Sequence, residues 1–267
     1  MTPRLTADRP LHILSLGAGV QSSTLALMAA AGEVTPMPDA AIFADTQWEP
    51  AAVYAHLDRL SAALPFPVYR VSVGHLRADA IRGVNATGHS YVTVPWFTRN
   101  LDGSVGMGRR QCTNEYKLKP LHRKVRALLG GTPKGGAVVW IGITTDEAQR
   151  MKDSRVQYIQ HRWPLIERGL TRYDCQQWLA LAGWTAPRSA CIGCPFRSDA
   201  EWRSLTPQEF ADAAEADRLI RQLVRGPVVA QYMHASRQPL DTVDFSTLED
   251  HGQQRLWGDE CSGLCGV

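Results

Sequence analysis

LHILSLGAGVQSSTLALMAA, residues 11–30, sets a short apolar run beside a run of helix formers and puts two glycines between them. Residues 11–16 are long enough for a buried strand, and Leu25, Leu27 and Met28 continue a helical run after Ser22 and Ser23. The join is Gly17, Ala18, Gly19, Val20, Gln21 and Ser22. Two glycines in a strand-to-helix turn let the backbone come close to an anion, and the N–H groups of the first helical turn, at the positive end of the helix dipole, face it. The pattern reads as a phosphate cradle. It is not a P-loop, since no Gly-Lys-Ser follows at the required offset, and it meets the dinucleotide pattern GxGxxG only in part, because Ser22 takes the third glycine's place.

Working outward, AAIFA at residues 40–44 is a second buried strand ending at Asp45 and Thr46. Ligands of open α/β sheets lie beyond the carboxyl ends of the strands, which sets Asp45 and Thr46 beside the glycine turn. Pro50 opens a helix whose apolar stripe is Val53, Leu57, Leu60 and Leu64. PVYRVSV at 67–73 alternates as a third strand, and VVWIGI at 138–143 is a fourth. Strands alternating with helices predict an α/β fold: a Rossmann-like, doubly wound, mostly parallel sheet with a cysteine-bearing C-terminal extension. The expected division is an adenine-nucleotide-binding α/β part at 1–190 and a CxxC-containing helical extension at 191–267, packed on the same domain.

Periodicity fades over residues 83–110. With three glycines and two arginines, 102–110 is expected to be a mobile substrate loop presenting Arg109 and Arg110. Residues 112–126 follow as a helix with Leu118, Leu121 and Val125 on one face and Lys117, Lys119, Arg123, Lys124 and Arg126 on the other. That basic face is either solvated surface or a nucleic-acid contact. Cys175 falls in phase with Trp178, Leu179 and Ala182 and reads as core. Thr206-Pro207-Gln208-Glu209 has the form of a capping box, opening a helix that buries Ala213, Ala216, Ile220 and Leu223.

With 267 residues, 44% of them hydrophobic, the chain suffices for one large α/β domain or a domain with an extension. A net charge of +3 permits an anionic substrate but lacks the strong basic excess of a dedicated nucleic-acid binder. No run approaches the roughly 18 apolar residues of a membrane helix, and the early glycines argue against a signal peptide, so a cytoplasmic location without membrane contact is expected. Six cysteines are present: Cys112, Cys175, Cys191, Cys194, Cys261 and Cys265. In a reducing compartment such grouping favours metal or redox chemistry over structural disulfides. Cys191-Ile192-Gly193-Cys194 is a CxxC whose glycine lets two thiolates turn to one metal. A zinc knuckle that merely stitches the chain is the competing use of the same residues.

The glycine turn resembles the PP-loop of the adenine nucleotide alpha-hydrolase superfamily, usually SGGxDS, with Gln21 where the PAPS-reductase-like branch also has glutamine. FADTQWEP is similar to that branch's DTG segment, Gln47 standing where glycine is common. Cys112-Thr113-x-x-Tyr116-Lys117-Leu118-x-Pro120-Leu121 resembles the CCxxRKVxPL segment of adenylylsulfate reductases, whose paired cysteines bind an iron–sulfur cluster; Thr113 replaces the second cysteine. The segment from Gly142 to Arg150 matches one that normally carries anion-gripping arginines, and two threonines stand there instead. The terminal ECSGLCGV is loosely similar to the reductases' ECGLH tail.

The resemblance implies a nucleotide site built from Ser15, Gly17, Gly19, Gln21, Ser22, Ser23, Asp45, Thr46, Gly142, Thr144, Glu147 and Arg150. It implies a 4Fe-4S cluster on Cys112, Cys191 and Cys194. Cys261 is taken as the fourth ligand and Cys265 as the catalytic sulfur carrier, although those two roles could be exchanged, or the fourth iron position could stay open. Arg109, Arg110 and Lys117 complete the catalytic set. Implied partners are ATP or another adenine nucleotide with Mg2+, a sulfur donor or reductant protein, a nucleotide or nucleic-acid acceptor, and a second copy in a homodimer. The expected activity is ATP pyrophosphatase-type adenylation and thiolation of an acceptor. The alternatives are reduction of adenylylsulfate or PAPS to sulfite, and a nucleotide- or nucleic-acid-binding module without catalysis.

Overall fold

Apolar segments too short for helices, each followed by a helix, form a parallel sheet in the computed structural model, which describes residues 9–84, 94–131, 136–224, 226–246 and 250. The main elements run β1 (Leu11–Ser15), α1 (Val20–Ala30), β2 (Ala40–Ala44), α2 (Ala51–Ala63), β3 (Val68–Val71) and α3 (Leu76–Arg82), then a hairpin of β4 (Phe97–Asn100) and β5 (Val105–Met107). A π-helical turn, Thr113–Leu118, leads into α4 (Lys119–Leu128), followed by β6 (Ala137–Ile141), a 3-10 turn (Thr145–Arg150), β7 (Ile159–Arg162), α5 (Pro164–Glu167) and α6 (Arg172–Leu181). The last part holds α7 (Asp199–Arg203), α8 (Pro207–Arg221) and β8 (Val228–Tyr232).

The five-stranded sheet has the order β3-β2-β1-β6-β7, and every pairing in it is parallel. The chain winds outward from β1 through β2 to β3, then returns to add β6 on the other side of β1. That reversal opens a crevice at the carboxyl ends of β1 and β6, where the Gly17 turn lies. The doubly wound α/β expectation holds. Alternate residues of each strand feed different layers: Leu14, Ala41, Phe43 and Trp140 pack with α1, α2 and α6, while Ile13, Ile42 and Val139 pack with Leu121 and Val125 of α4. The predicted stripe of α2 is buried at Val53, Leu57, Leu60 and Leu64, and Cys175 is core. The capping box at Thr206 and Glu209 is formed.

A second, antiparallel sheet, β5-β4-β8, corrects the expectation of a mobile loop over residues 102–110. Phe97 pairs with Met107 and Thr98 with Gly106 on one side of β4, while Phe97 pairs with Tyr232 on the other. The loop reading failed because strands of three and four residues are too short for a periodicity to stand out, and Gly103 and Gly106 look like loop residues. Gly103 does turn the hairpin, in the left-handed region, but Gly106 sits within a strand where a Cβ would press on Thr98 Oγ1 at 3.2 Å. This sheet and α8 enclose a separate core of Trp48, Trp96, Tyr116, Trp202, Ile220 and Met233. Among the described residues no helix is long and apolar enough to cross a membrane.

His12, His56 and His122 are each held below the ordinary imidazole value, mainly by burial. His56 shares a hydrogen bond of 2.8 Å with the buried hydroxyl of Ser23. With a lowered folded-state pKa, the folded protein binds fewer protons than the unfolded chain, so this contribution is full above the unfolded value of about 6.5 and is lost as pH falls through the folded value. The thermal midpoint is therefore expected to drop on acidification from about pH 7.5 to about 5.5, and His56→Gln to flatten part of that slope. An identical slope in the variant would show that His56 does not contribute.

Candidate functional site

Two adjoining cavities lie over the carboxyl end of the parallel sheet. The first, about 1120 Å3 including its mouth, is walled by the glycine turn, the ends of β2 and β6, and the segment that carries Arg188 and Ser189. Gly19 begins α1 with extended backbone and no side-chain cap, leaving the first helical N–H groups for a ligand. Ala18 takes a left-handed φ of +56° between the two glycines, a local strain that keeps the turn tight. A Cβ on Gly19 would meet Ser189 Cβ at 2.9 Å, and one on Gly142 would meet the Ser22 amide nitrogen at 3.0 Å. Glycine is thus dictated here by the closeness of neighbouring segments as well as by any ligand.

Four cationic side chains, Lys117, Arg150, Arg172 and Arg188, line this cavity against one carboxylate, Glu147. Arg150 pairs with Glu147 at 2.7 Å. Burial still raises the Glu147 pKa, with Arg150 opposing the shift. Arg172 Nη1 donates to Gln21 Oε1 at 2.9 Å, and a guanidinium only donates, so the amide oxygen of Gln21 must face it. Arg188 pairs with Glu201 and donates to the Phe196 carbonyl.

The second cavity, about 520 Å3 including its open mouth, brings together Cys112, Cys191 and Cys194 among Trp48, Leu76, Val94, Pro95 and Phe196, with Arg110 at its wall. Thr113 and Lys117 line both cavities. Beneath Cys191 lies a carboxylate that sequence reasoning did not single out. Glu49, its side chain 2% exposed, accepts from Thr46 Oγ1 at 3.0 Å and from the Cys191 thiol at 3.3 Å, with Lys117 Nζ at 3.6 Å. Its Oε2 is buried without a hydrogen-bond partner. Burial, then the Glu49 charge, pushes the Cys191 thiol well above its ordinary range, and Lys117 pulls against both. Cys112 is likewise raised by burial, opposed by Lys117 and Arg110.

Glycine at position 193 is required by contact, since a Cβ there would lie 2.0 Å from the Trp48 ring. Trp48 is itself fixed by Nε1 donating to Asp212 Oδ2 at 2.6 Å. Three thiols on one largely apolar wall suit in kind a thiophilic metal or an iron–sulfur group. Among the described residues, though, no group of three or more His, Cys, Asp or Glu is gathered into a metal-holding arrangement.

Most of the expected nucleotide residues share the first cavity: Ser15, Gly17, Gly19, Gln21, Ser22, Gly142, Glu147 and Arg150. Ser23 does not; its hydroxyl turns inward to His56. Thr46 lines the sulfur cavity instead. Asp45 lines neither cavity and accepts from the Gln47 amide at 2.7 Å and the Tyr54 hydroxyl at 2.8 Å. That bond steadies Gln47 at φ +58°, the conformation for which glycine is the low-strain residue. Thr144 is fully buried and Arg109 lines neither cavity. Cys261 and Cys265 lie outside the described residues. Arg172, Arg188, Ser189 and Glu49 were missed, although Arg188 and Ser189 are separated from the CxxC only by Ala190 and Glu49 lies within the FADTQWEP segment.

No family model and no curated protein matches this chain. Among solved structures, it is similar to a phosphoadenylyl-sulfate (PAPS) reductase from Candida auris, in a phosphate complex, over 74% of this chain and 85% of that one, with 15% identity and a TM-score of 0.44. The chemistry of the two cavities rests on their own residues.

Gly193→Ala must displace Trp48 or the cysteine loop, and is expected to cost about 1–3 kcal/mol in chemical denaturation. A red shift of tryptophan emission should accompany it. Wild-type stability and emission would show that the ring has room to move.

Proposed function

We propose that this chain is a PAPS-reductase-like, PP-loop enzyme of sulfur chemistry that binds an adenine nucleotide in the first cavity and carries out sulfur transfer beside the second. The observation that carries the reading is the common wall: Thr113 and Lys117 face both an anion-suited cavity and a cavity with three thiols. The N–H groups of the glycine turn would hold phosphate, and Lys117, Arg150, Arg172 and Arg188 would offset its charge. Glu147 is already paired with Arg150, so a Mg2+ ion arriving with ATP would be held chiefly by nucleotide oxygens and water. An iron–sulfur cluster on Cys112, Cys191 and Cys194, with Cys261 or Cys265 from the tail, would supply electrons or sulfur.

In the favoured reaction an acceptor oxygen attacks the α-phosphorus of ATP and pyrophosphate leaves; a sulfur nucleophile then attacks the activated carbon and AMP leaves with the oxygen. Lys117 is placed to stabilise negative charge passing between the cavities. The second reading is attack of a cysteine thiolate on the sulfate sulfur of a sulfonucleotide, releasing the adenosine phosphate. Arg150, Arg172 and Arg188 on the wall favour it, since they offer the guanidinium groups that the two threonines at 144 and 145 do not. We place the protein in the cytosol, where the four described cysteines, none of them in a disulfide, would stay reduced.

Anaerobically purified protein should contain iron and acid-labile sulfide and release pyrophosphate from ATP when its acceptor is supplied. Sulfite release from adenylylsulfate or PAPS without pyrophosphate, in the presence of a dithiol reductant that attacks the cysteine S-sulfonate and leaves as the disulfide, would transfer the assignment to the reductase reading. Cys194→Ser is expected to bleach the protein, and Lys117→Ala to lower turnover by about 100-fold with iron retained. A colourless, zinc-containing preparation that forms neither product would sink both readings.

A further inference from the structure

We propose that Arg197 is the positioning residue of the sulfur site, setting the cysteine loop in place before any metal arrives. The loop has no regular secondary structure, so its buried carbonyls need partners from elsewhere. Arg197, 7% exposed, supplies them. Its Nε donates to the Ile192 carbonyl at 3.2 Å, and its Nη2 donates to those of Ala190 at 3.0 Å and Cys191 at 3.1 Å. The next carbonyl, Gly193, accepts from Trp96 Nε1 at 3.0 Å. Four successive carbonyls are thereby held by two buried side chains. The amides are held as well, Ile192 N donating to the Trp48 carbonyl at 2.8 Å and Cys194 N to that of Cys191 at 3.1 Å.

Small metal sites are commonly disordered until the ion binds, because the ion supplies the ordering energy. Here protein donors supply it, and a planar guanidinium is suited to the task. Two nitrogens on one rigid edge reach three carbonyls, whereas a lysine ammonium, a single point on a flexible stem, cannot span them. The guanidinium also lies 5.7 Å from the centre of the Trp202 ring, which is buried and limits its movement. Among the described residues, the hydrogen bonds of Arg197 named here all go to backbone carbonyls of the cysteine loop, so it acts through the position of Cys191 and Cys194. This inference rests on the proposed thiol site only for the identity of the ligand, not for the order of the loop.

Hydrogen exchange on metal-free wild-type protein is the first test. The Ile192 and Cys194 amides should be protected, and adding Co2+ under anaerobic conditions should change their rates little. If they exchange at unprotected rates until Co2+ is added, metal builds the loop and the proposal is overturned. Co2+ titration of Arg197→Lys and Arg197→Gln is the second test, read by the sulfur-to-cobalt charge-transfer band, with circular dichroism as the control for folding. Both variants should bind about 10- to 100-fold more weakly, and lysine should not rescue. Wild-type affinity in either would refute the role. If wild type takes up neither Co2+ nor iron while its loop amides are protected and Arg197→Gln loses that protection, the positioning role stands and the metal reading falls.

Discussion

The seating of Ser189 against Gly17 and Gly19 ties the two halves of the site together. The segment from Pro187 to Ser189 closes the first cavity, and the residues immediately following, from Ala190 to Phe196, wall the second. There is no spare volume at the contact: a methyl group on Gly19 would already be inside the permitted distance of Ser189 Cβ. Any movement of the glycine turn is therefore transmitted to a loop bearing two thiols, and the tightness of the turn follows from packing.

The electrostatics follow from where water is excluded. Glu49 is buried beneath Cys191, while Lys117 and the three half-buried thiols line the cavity beside it, and burying a carboxylate is costly unless a cation or hydrogen-bond donors stand beside it. Lys117 is that cation. With its Nζ 3.6 Å from Glu49 it is tethered at the junction, and it counters the rise in thiol pKa at both Cys112 and Cys191. A single ammonium group consequently serves two environments, polar and cationic on one side, apolar and sulfur-rich on the other. Replacing it would take away the ammonium group beside Glu49 and leave only the Thr46 and Cys191 donors named above, so its structural and chemical roles share one origin.

The parallel sheet was legible because buried strands write themselves as apolar runs and the helix between them as a stripe: β2 and the buried face of α2 fall where the residues put them. The CxxC and the glycine turn were legible because their chemistry is local. What could not be read was set by partners distant in the chain. Ser23 looks like any first-turn serine until His56 is brought over it. Arg172 belongs to the anion cavity only because α6 packs on α1 and carries its first residue to Gln21. Glu49 lies four residues from Asp45, and nothing in the sequence says that the former, not the latter, faces a cysteine. The β4–β5 hairpin was missed for a related reason, since β4 pairs with β8, more than a hundred residues away.

The π-helical turn at Thr113–Leu118 shows how local chemistry makes such a junction possible. Its register is visible in the Lys119 amide, which donates to the Asn114 carbonyl five residues back. Pro120 follows and has no N–H, so the α-helical bond that residue 120 would send to the Tyr116 carbonyl does not exist, and widening the turn forfeits one bond fewer than it otherwise would. Tyr116 secures the widened turn from inside, its hydroxyl donating to Asp79 Oδ2 at 2.6 Å. With Tyr116 turned inward, Thr113 and Lys117, one helical turn apart, are left facing the boundary where the two cavities meet, with Cys112 beside them. The proline and the buried tyrosine, both spelled out in CTNEYKLKP, thus explain why a lysine and a thiol emerge together at that boundary and not on the solvated face that the run of charge would suggest.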